Sequence, residues 1–510
     1  TMSYLIGIDI GTSGTKTVLY DLEGNAVAQA MQEYPMHQPQ AGWAEEDPED
    51  WWNTAVTTLR GVMKAGGAAP EEILGIGFSG QMHSLVMLDA SCRVLRPAIL
   101  WCDGRTRSEC DEINERVGAQ RLLEISANPA LTGFTAGKLL WVRRHEPELF
   151  ARCRHVLLPK DYVRFRLTGV LATDVSDASG TNLLNVAERA WSTELLEKLE
   201  LDPAWFPPLL ESCELAGRVT REAAAMTGIA AGTPVAAGAA DNATSAVGTG
   251  TVRTGGVFHT IGTSGVIFAH SDRPAVSAGG RVHTICAAVP RGWGFMSCTL
   301  SAGLALRWYR DQFCVQECLE AERSGTDSYA LLDKKAAAVA PGSDGVIFLP
   351  YLMGERSPLL DETCRGVFFG LSALHRREHL LRAVMEGVAY SQRACLDVFR
   401  EMGLRPEKMK LCGGGAKSPL WRQILADQFH LPVTTMASSE SPTLGAAILA
   451  GVCAGVYPDV PSGCGCVRDG GTMEEPQEEA MRIYDDYYPV YTALYPALRR
   501  QFAVMAQMKP

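Results

Sequence analysis

Between Tyr4 and Ile10 the chain alternates, with Tyr4, Ile6, Ile8 and Ile10 on one face and Leu5, Gly7 and Asp9 on the other. A period of two predicts a β-strand. After Gly11-Thr12-Ser13-Gly14, the segment TKTVLYD predicts a second strand, a turn falls at Leu22-Glu23-Gly24-Asn25, and AVAQA predicts a third strand. The chain thus opens as an antiparallel meander. Residues 73–78 (ILGIGF) and 84–88 (SLVML) add strands, and Asp50 to Lys64 carries a helical pattern behind Pro48 and Glu49. The stretch 104–230 is richer in helical patterns separated by Pro and Gly, and from Gly228 to Gly250 the residues turn small. Strands then resume at 256–261 and 265–269 around a second copy of the tetrapeptide, Gly262-Thr263-Ser264-Gly265. A repeated meander with a repeated turn predicts two related mixed α/β domains, 1–252 and 253–510. In the second half, 378–401 predicts a helix with Leu381, Val384, Val388, Ser391 and Cys395 on one face and Gly403 as terminator. KLCGGGAKSPLWRQILADQF predicts strand, glycine loop and helix. The Gly-, Pro- and Cys-rich stretch 455–476 predicts a surface loop, and a tyrosine-rich helix closes the chain.

Composition narrows the classes. A chain of 510 residues exceeds one compact core. Its net charge of -11 disfavours nucleic acid or an anionic membrane as main partner. A phosphorylated ligand stays open, because backbone N–H groups bind phosphate without net positive charge. The 15 cysteines include no pair of C-x-x-C units. Cys464 and Cys466 form a lone C-x-C, and Cys314 and Cys318 are spaced one helical turn apart. Free thiols in a reducing cytoplasm are the expectation. No signal peptide and no membrane-spanning apolar run is read from the sequence.

The repeated turn carries the first chemical expectation. Gly and hydroxyl residues in a tight turn expose consecutive N–H groups and add side-chain donors, which makes an anion-binding concavity. Two ordinary hairpin turns are the bland alternative. A Walker A loop is absent: Lys16 follows Thr15 rather than Gly, and a strand follows the turn. Gly75, Gly77 and Gly80 spell G-x-G-x-x-G, but the residues after them run into a strand rather than a helix N-terminus, so a dinucleotide site is not expected. Asp9, just before the first turn, could cap it or act near phosphates through Mg²⁺. Asp241 stands among small residues at a strand-to-helix junction, where it could be an N-cap or a general base.

These residues sit in longer motifs: GIDIGTSGTK, DPEDWW, SGQMH, RPAILWCDGRT, LLPKDYVRFRLTG, TDVSDASGT, GAADNA, FLPYLMGERSP and GGGAKSPLWRQILAD. In them the chain resembles, nearly end to end, the FGGY family of carbohydrate kinases. The resemblance implies two actin/hexokinase-like (ribonuclease H-like) α/β domains with a cleft between them. It implies ATP-dependent phosphorylation of a ketopentose, D-xylulose first, with ribulose, fuculose, gluconate or glycerol as other acceptors. A non-kinase actin-fold ATPase switch is a more distant alternative. Asp241 then matches the catalytic base, followed by Asn242. Met82 and His83 match a sugar-contacting pair, against the bland alternative of a satisfied core histidine. Gly11, Thr12, Ser13 and Gly14 match one phosphate loop, and Gly262, Thr263, Ser264 and Gly265 the other. Gly413, Gly414 and Gly415 match the adenosine-side loop, and Asp9 the Mg²⁺-associated aspartate. Trp101, Asp103 and Arg105 fall near the sugar pocket without an assigned role. Ser84 and Cys102 depart from the family's usual Gly and Asn, which leaves the exact sugar open. Glu355 and Arg356, before Pro358, are expected to form an interdomain or structural ion pair. A homodimer would fit the family.

Overall fold

A computed structural model describes residues 2–508. The chain divides into two compact units. The first comprises residues 1–253, 270–294 and 440–467, and the second comprises 254–269, 295–439 and 468–510.

In the first unit the opening meander forms as the alternation predicts: β1 (Tyr4–Ile10), β2 (Gly14–Asp21) and β3 (Ala26–Glu33), paired antiparallel in sequence. Helix α1 (Pro48–Gly66) starts where Asp47 accepts the Glu49 N–H at 2.9 Å with Pro48 behind it, and it stops at Gly67, φ +64°. It covers one face of the sheet with Trp51, Trp52, Ala55, Leu59 and Val62, all buried against Ile6, Ile8 and Ile10. Strand β4 (Ile73–Gly80) runs parallel beside β1. The strands β5 (Leu215–Arg218) and β6 (Pro234–Ala236) complete the order β5-β6-β4-β1-β2-β3. The short strand Ala239–Ala240 also pairs with the end of β4 and leads into helix α2 (Asp241–Gly248).

Both faces of β1 are buried, so its alternation is not inside against outside but large against small. Gly7 pairs with Gly77 across β1 and β4, and the helix Ser441–Cys453 lies on that bare patch. A Cβ on Gly7 would sit 1.9 Å from the Thr443 carbonyl oxygen, and one on Gly77 1.9 Å from that of Ala446. The same helix meets α2 through glycine: a Cβ on Gly445 would lie 1.9 Å from the Thr244 carbonyl, and one on Gly248 1.9 Å from that of Ser441. The G-x-G-x-x-G run is therefore a helix-packing surface. A late segment of the chain fixes the helix that begins at Asp241.

The second unit repeats the plan. Strands β7 (Gly256–Ile261), β8 (Gly265–Ser271) and β9 (Trp293–Thr299) are followed by β10 (Lys408–Cys412), β11 (Val433–Met436) and β12 (Asp469–Glu474), in the order β9-β8-β7-β10-β11-β12. As in the first sheet, an antiparallel hairpin (β7 with β8) is joined by a strand parallel to its first member (β10). Helix α3 (Arg377–Glu401) buries Leu381, Val384, Val388, Ser391 and Cys395, and Gly403 follows with φ +97°. Strand β10, the glycine loop and helix α4 (Pro419–Phe429) follow in the expected order.

Two expectations need correction. Residues 455–476 are not all loop: they hold a short helix Val460–Gly463 and the edge strand β12. Glu355 and Arg356 do not form the expected ion pair. Glu355 is buried, and one of its oxygens accepts the backbone N–H groups of Leu300 (2.9 Å) and Arg356 (2.8 Å). None of the fifteen cysteines is in a disulfide. Among the described residues, no helix is long and apolar enough to cross a membrane.

Candidate active site

In the first unit, β1 and β4 end side by side, with Asp9 opposite Ser79 and Ile10 opposite Gly80. Carboxyl ends of parallel strands are where open α/β sheets place ligands. Asp9 is half-buried there, and its buried Oδ1 has no hydrogen-bond partner. Burial raises its pKa; a hydrogen bond from Ser79 opposes this, Glu440 adds to it and Lys16 counters it. Lys16 Nζ lies 2.6 Å from Glu440 Oε2. The first GTSG turn follows directly. The Gly11 N–H donates to the Gly14 carbonyl at 3.1 Å, Tyr34 donates its hydroxyl hydrogen to the Gly11 carbonyl, and the Trp101 indole N–H donates to Thr12 Oγ1 at 2.9 Å. That last bond engages a Thr12 lone pair and leaves its O–H hydrogen to point elsewhere.

Asp241 is the first residue of α2, not its N-cap; Ala240 holds that position. One carboxylate oxygen accepts the Asn242 backbone N–H at 2.7 Å. Burial, then the charge of Asp9, pushes Asp241 up to about 7, with the Asn242 N–H opposing. Asn242 Nδ2 lies 3.1 Å from Asp241 Oδ1 and 3.8 Å from Met82 Sδ, so Met82, Asp241 and Asn242 share one corner.

His83 takes φ +68°, a strained conformation for a side chain of its size. Its ring stacks on Phe134 at 4.3 Å, and its Nδ1 lies 2.8 Å from the Gly180 carbonyl oxygen. Thr135 Oγ1 donates to the His83 carbonyl at 2.9 Å, and the buried Lys138 ammonium donates to it at 3.2 Å. Burial pulls Lys138 down to about 7. Ser84 is buried and accepts the Trp101 backbone N–H at 3.1 Å, whereas Cys102 is exposed. Asp103 and Arg105 pair with each other at 2.7 Å, and Arg105 lies over the Trp43 ring at 3.8 Å, so both brace the scaffold.

In the second unit, a cavity of about 570 Å³ opens beside the second GTSG turn. Gly262, Thr263, Gly414 and Gly415 line it. Gly413 needs its φ of +82°, and a Cβ there would lie 2.5 Å from the Ile261 carbonyl oxygen. Gly414 faces open space. The turn is held from behind, where the N–H groups of Ala302, Gly303 and Leu304 donate to the carbonyls of Gly262 and Thr263 at 2.8–3.1 Å. Gly265 has a packing reason of its own, since a Cβ would lie 2.4 Å from Gln392 Nε2. The sequence reading did not single out the other lining residues, among them the polar Asp333, Lys417 and Ser418. Ser418 Oγ donates to Asp333 Oδ2 at 2.6 Å and accepts the Trp421 N–H at 3.0 Å, capping α4. The Ser-Pro dipeptide after the glycines carried that cap signal; Asp333, 85 residues upstream of Ser418, offered none.

Comparison with known proteins agrees with this layout. Residues 4–248 match the N-terminal domain of the FGGY family of carbohydrate kinases, and 257–454 match its C-terminal domain. The chain belongs to the FGGY family of carbohydrate kinases. It is a sugar kinase. The xylulose kinase of Escherichia coli (strain K12) is 41% identical over 88% of this chain and 90% of its own length. That of Bacillus subtilis (strain 168) is 38% identical over 96% of this chain and 93% of its own. The crystal structure of xylulose kinase from Rhodospirillum rubrum is 32% identical, covers 98% of this chain and 100% of its own, and superposes with a TM-score of 0.91. The two mixed α/β units are thus the actin/hexokinase-like domains of this family.

Proposed function

We propose that the chain transfers the γ-phosphoryl group of ATP to the terminal hydroxyl of D-xylulose, giving D-xylulose 5-phosphate. The observation that carries this reading is the corner that Asp241 shares with Met82 and Asn242, where burial and then the charge of Asp9 push the Asp241 carboxyl up to about 7. A base near neutrality takes the proton of an attacking hydroxyl most effectively at the working pH. The xylulose kinase relatives supply the acceptor class.

On this reading the first unit holds the sugar. Asp241 accepts the proton, Asn242 and Met82 flank it, and His83 faces a sugar hydroxyl. The second unit holds the nucleoside in its cavity, against Gly413, Gly414 and Gly415. Gly11, Thr12, Ser13 and Gly14, with Gly262, Thr263, Ser264 and Gly265, supply donors to the phosphates. Asp9, with one buried oxygen lacking a partner, fits a Mg²⁺ ion held through one carboxylate and phosphate oxygens. When bound, that ion neutralises charge on the phosphates. Fifteen cysteines without a disulfide suit a reducing cytoplasm.

The test is product analysis. With ATP, Mg²⁺ and D-xylulose, phosphorus NMR is expected to show one phosphomonoester, on O5, formed in equal amount with ADP. ADP release without a sugar phosphate, or release that does not respond to any sugar, would contradict the reading and favour a nucleotide switch.

A further inference from the structure

Five charged side chains lie buried beside the sugar-side residues, and the chemistry above uses none of them. Lys160 Nζ is 2.9 Å from Asp161 Oδ1, 2.7 Å from Asp174 Oδ1 and 2.9 Å from Asp177 Oδ2, and Arg164 is 3.0 Å from Asp161 Oδ1. All five side chains have 0% exposure. Such a cluster is costly to desolvate, and apolar residues of similar volume often serve stability as well. Its value lies in what it holds.

It holds the segment 174–182. Asp174 Oδ2 accepts the Ser176 N–H at 2.9 Å, the Ser212 hydroxyl at 2.9 Å, and the Ser176 hydroxyl. With its hydrogen committed to Asp174, Ser176 Oγ accepts the Ala240 N–H at 3.1 Å. Ala240 is the residue directly before Asp241. Further along the segment, the Gly180 carbonyl meets His83 Nδ1 at 2.8 Å. A carbonyl only accepts, so Nδ1 donates to it and the ring's orientation is set, leaving Nε2 on the opposite edge of the ring. The fit is close: a Cβ on Gly180 would lie 2.3 Å from Nδ1.

We propose that segment 174–182, pinned by Lys160 through Asp174 and Asp177, is a two-ended positioning element: Ser176 fixes the backbone that leads into Asp241, and Gly180 fixes the His83 ring so that its Nε2 edge meets a sugar hydroxyl. This deepens the sugar-kinase reading and rests on it. The two ends act on different steps. Misplacing the base lowers transition-state stabilisation, whereas turning the imidazole weakens sugar binding.

The experiment is sugar-saturation kinetics at fixed ATP on Ser176→Ala, Gly180→Ala and Ser212→Ala, each checked for folding by circular dichroism. Ser176→Ala is expected to lower kcat ~10-fold or more with sugar KM within about twofold, and Gly180→Ala to raise sugar KM ~10-fold with a smaller change in kcat. Ser212→Ala disturbs the same Asp174 oxygen without touching Ala240, and is expected to leave both constants within about twofold. If Ser176→Ala does not fold, Ser176→Cys, similar in size and a weak acceptor, carries the same expectation. The proposal is overturned if a folded Ser176 variant keeps wild-type kcat, if Ser212→Ala matches it, or if the Ser176 and Gly180 variants move the same constant. Asp241→Asn, run alongside, separates this from the parent reading. Turnover retained in Asp241→Asn removes the base assignment itself. Turnover lost there but kept in Ser176→Ala removes only the positioning claim.

Discussion

Replacing Asp241 by Asn separates what the carboxylate costs the fold from what it contributes to the reaction. Burial, then the Asp9 charge, raises Asp241 from 3.8 to about 7, so the folded chain binds this proton more tightly than the unfolded chain. The sign follows directly. Between about pH 4 and pH 7 the unfolded state has released a proton that the folded state still holds, so stability falls as pH rises through that window. Below it both states are protonated and nothing is lost; above it the cost is complete. A rise of this size corresponds to ~4 kcal/mol at pH 8. The Asp241 side chain keeps partial contact with solvent, and screening reduces this to ~2 kcal/mol. Asn preserves the carbonyl that accepts the Asn242 N–H, so the start of α2 survives. Asp241→Asn is therefore expected to raise the Tm at pH 8 by ~4 °C, the gain shrinking to roughly a third at pH 5. Ketose-dependent turnover falls ~10²–10⁴-fold in the same protein. Scanning calorimetry at the two pH values and a coupled ADP assay read both effects. A Tm gain that ignores pH, a loss of Tm at pH 8, or near-normal turnover would refute the reasoning.

Three further outcomes follow from the same geometry. In the wild type, kcat/KM for sugar should fall tenfold per pH unit below about 7, where Asp241 gains its proton; an acid limb near 4 would deny it the role of base. Gly414→Val points into open space, so the fold should hold while KM for ATP rises several-fold and KM for sugar stays put, read by paired saturation curves. Gly77→Ala drives a Cβ to 1.9 Å from the Ala446 carbonyl and should cost about 3 kcal/mol or more, read by denaturant unfolding; wild-type stability would show that the helix Ser441–Cys453 does not pack there.

Much of the scaffold was legible because it is local. The period of two at Tyr4–Ile10, the stripe along Arg377–Glu401 and the glycine break before Pro419 each report on neighbours within a few residues. What the sequence hid was long-range. The alternation in β1 gave no hint that Gly7 and Gly77 form a seat for a helix more than 360 residues away, since a bare glycine face and a turn glycine look alike in one dimension. The expected loop at 455–476 contains β12, whose residues pair with β11 positions that precede them by 33 to 41 residues, such as Met436 with Asp469 and Val433 with Glu474. Asp9 and Asp241 were legible as candidates from their places beside a turn and at a strand-to-helix junction, Met82 and Asn242 only through their motifs. Their coupling, with Asp241 brought to about 7 by burial and Asp9, required the end-on meeting of β1, β4 and Ala239–Ala240. Asp333 and Ser418 were invisible as a pair, because a carboxylate and a cap residue 85 positions apart carry no joint signal.

The central claim is that this chain phosphorylates a ketopentose. The most direct measurement is kcat/KM for D-xylulose, D-ribulose, L-fuculose, D-gluconate and glycerol in a coupled ADP assay with ATP and Mg²⁺. D-xylulose is expected to lead the series by an order of magnitude or more and to raise ADP release well above the sugar-free rate. A different acceptor at the head of the series would contradict the assignment of substrate, and equal ADP release with and without every sugar would contradict the account as a whole.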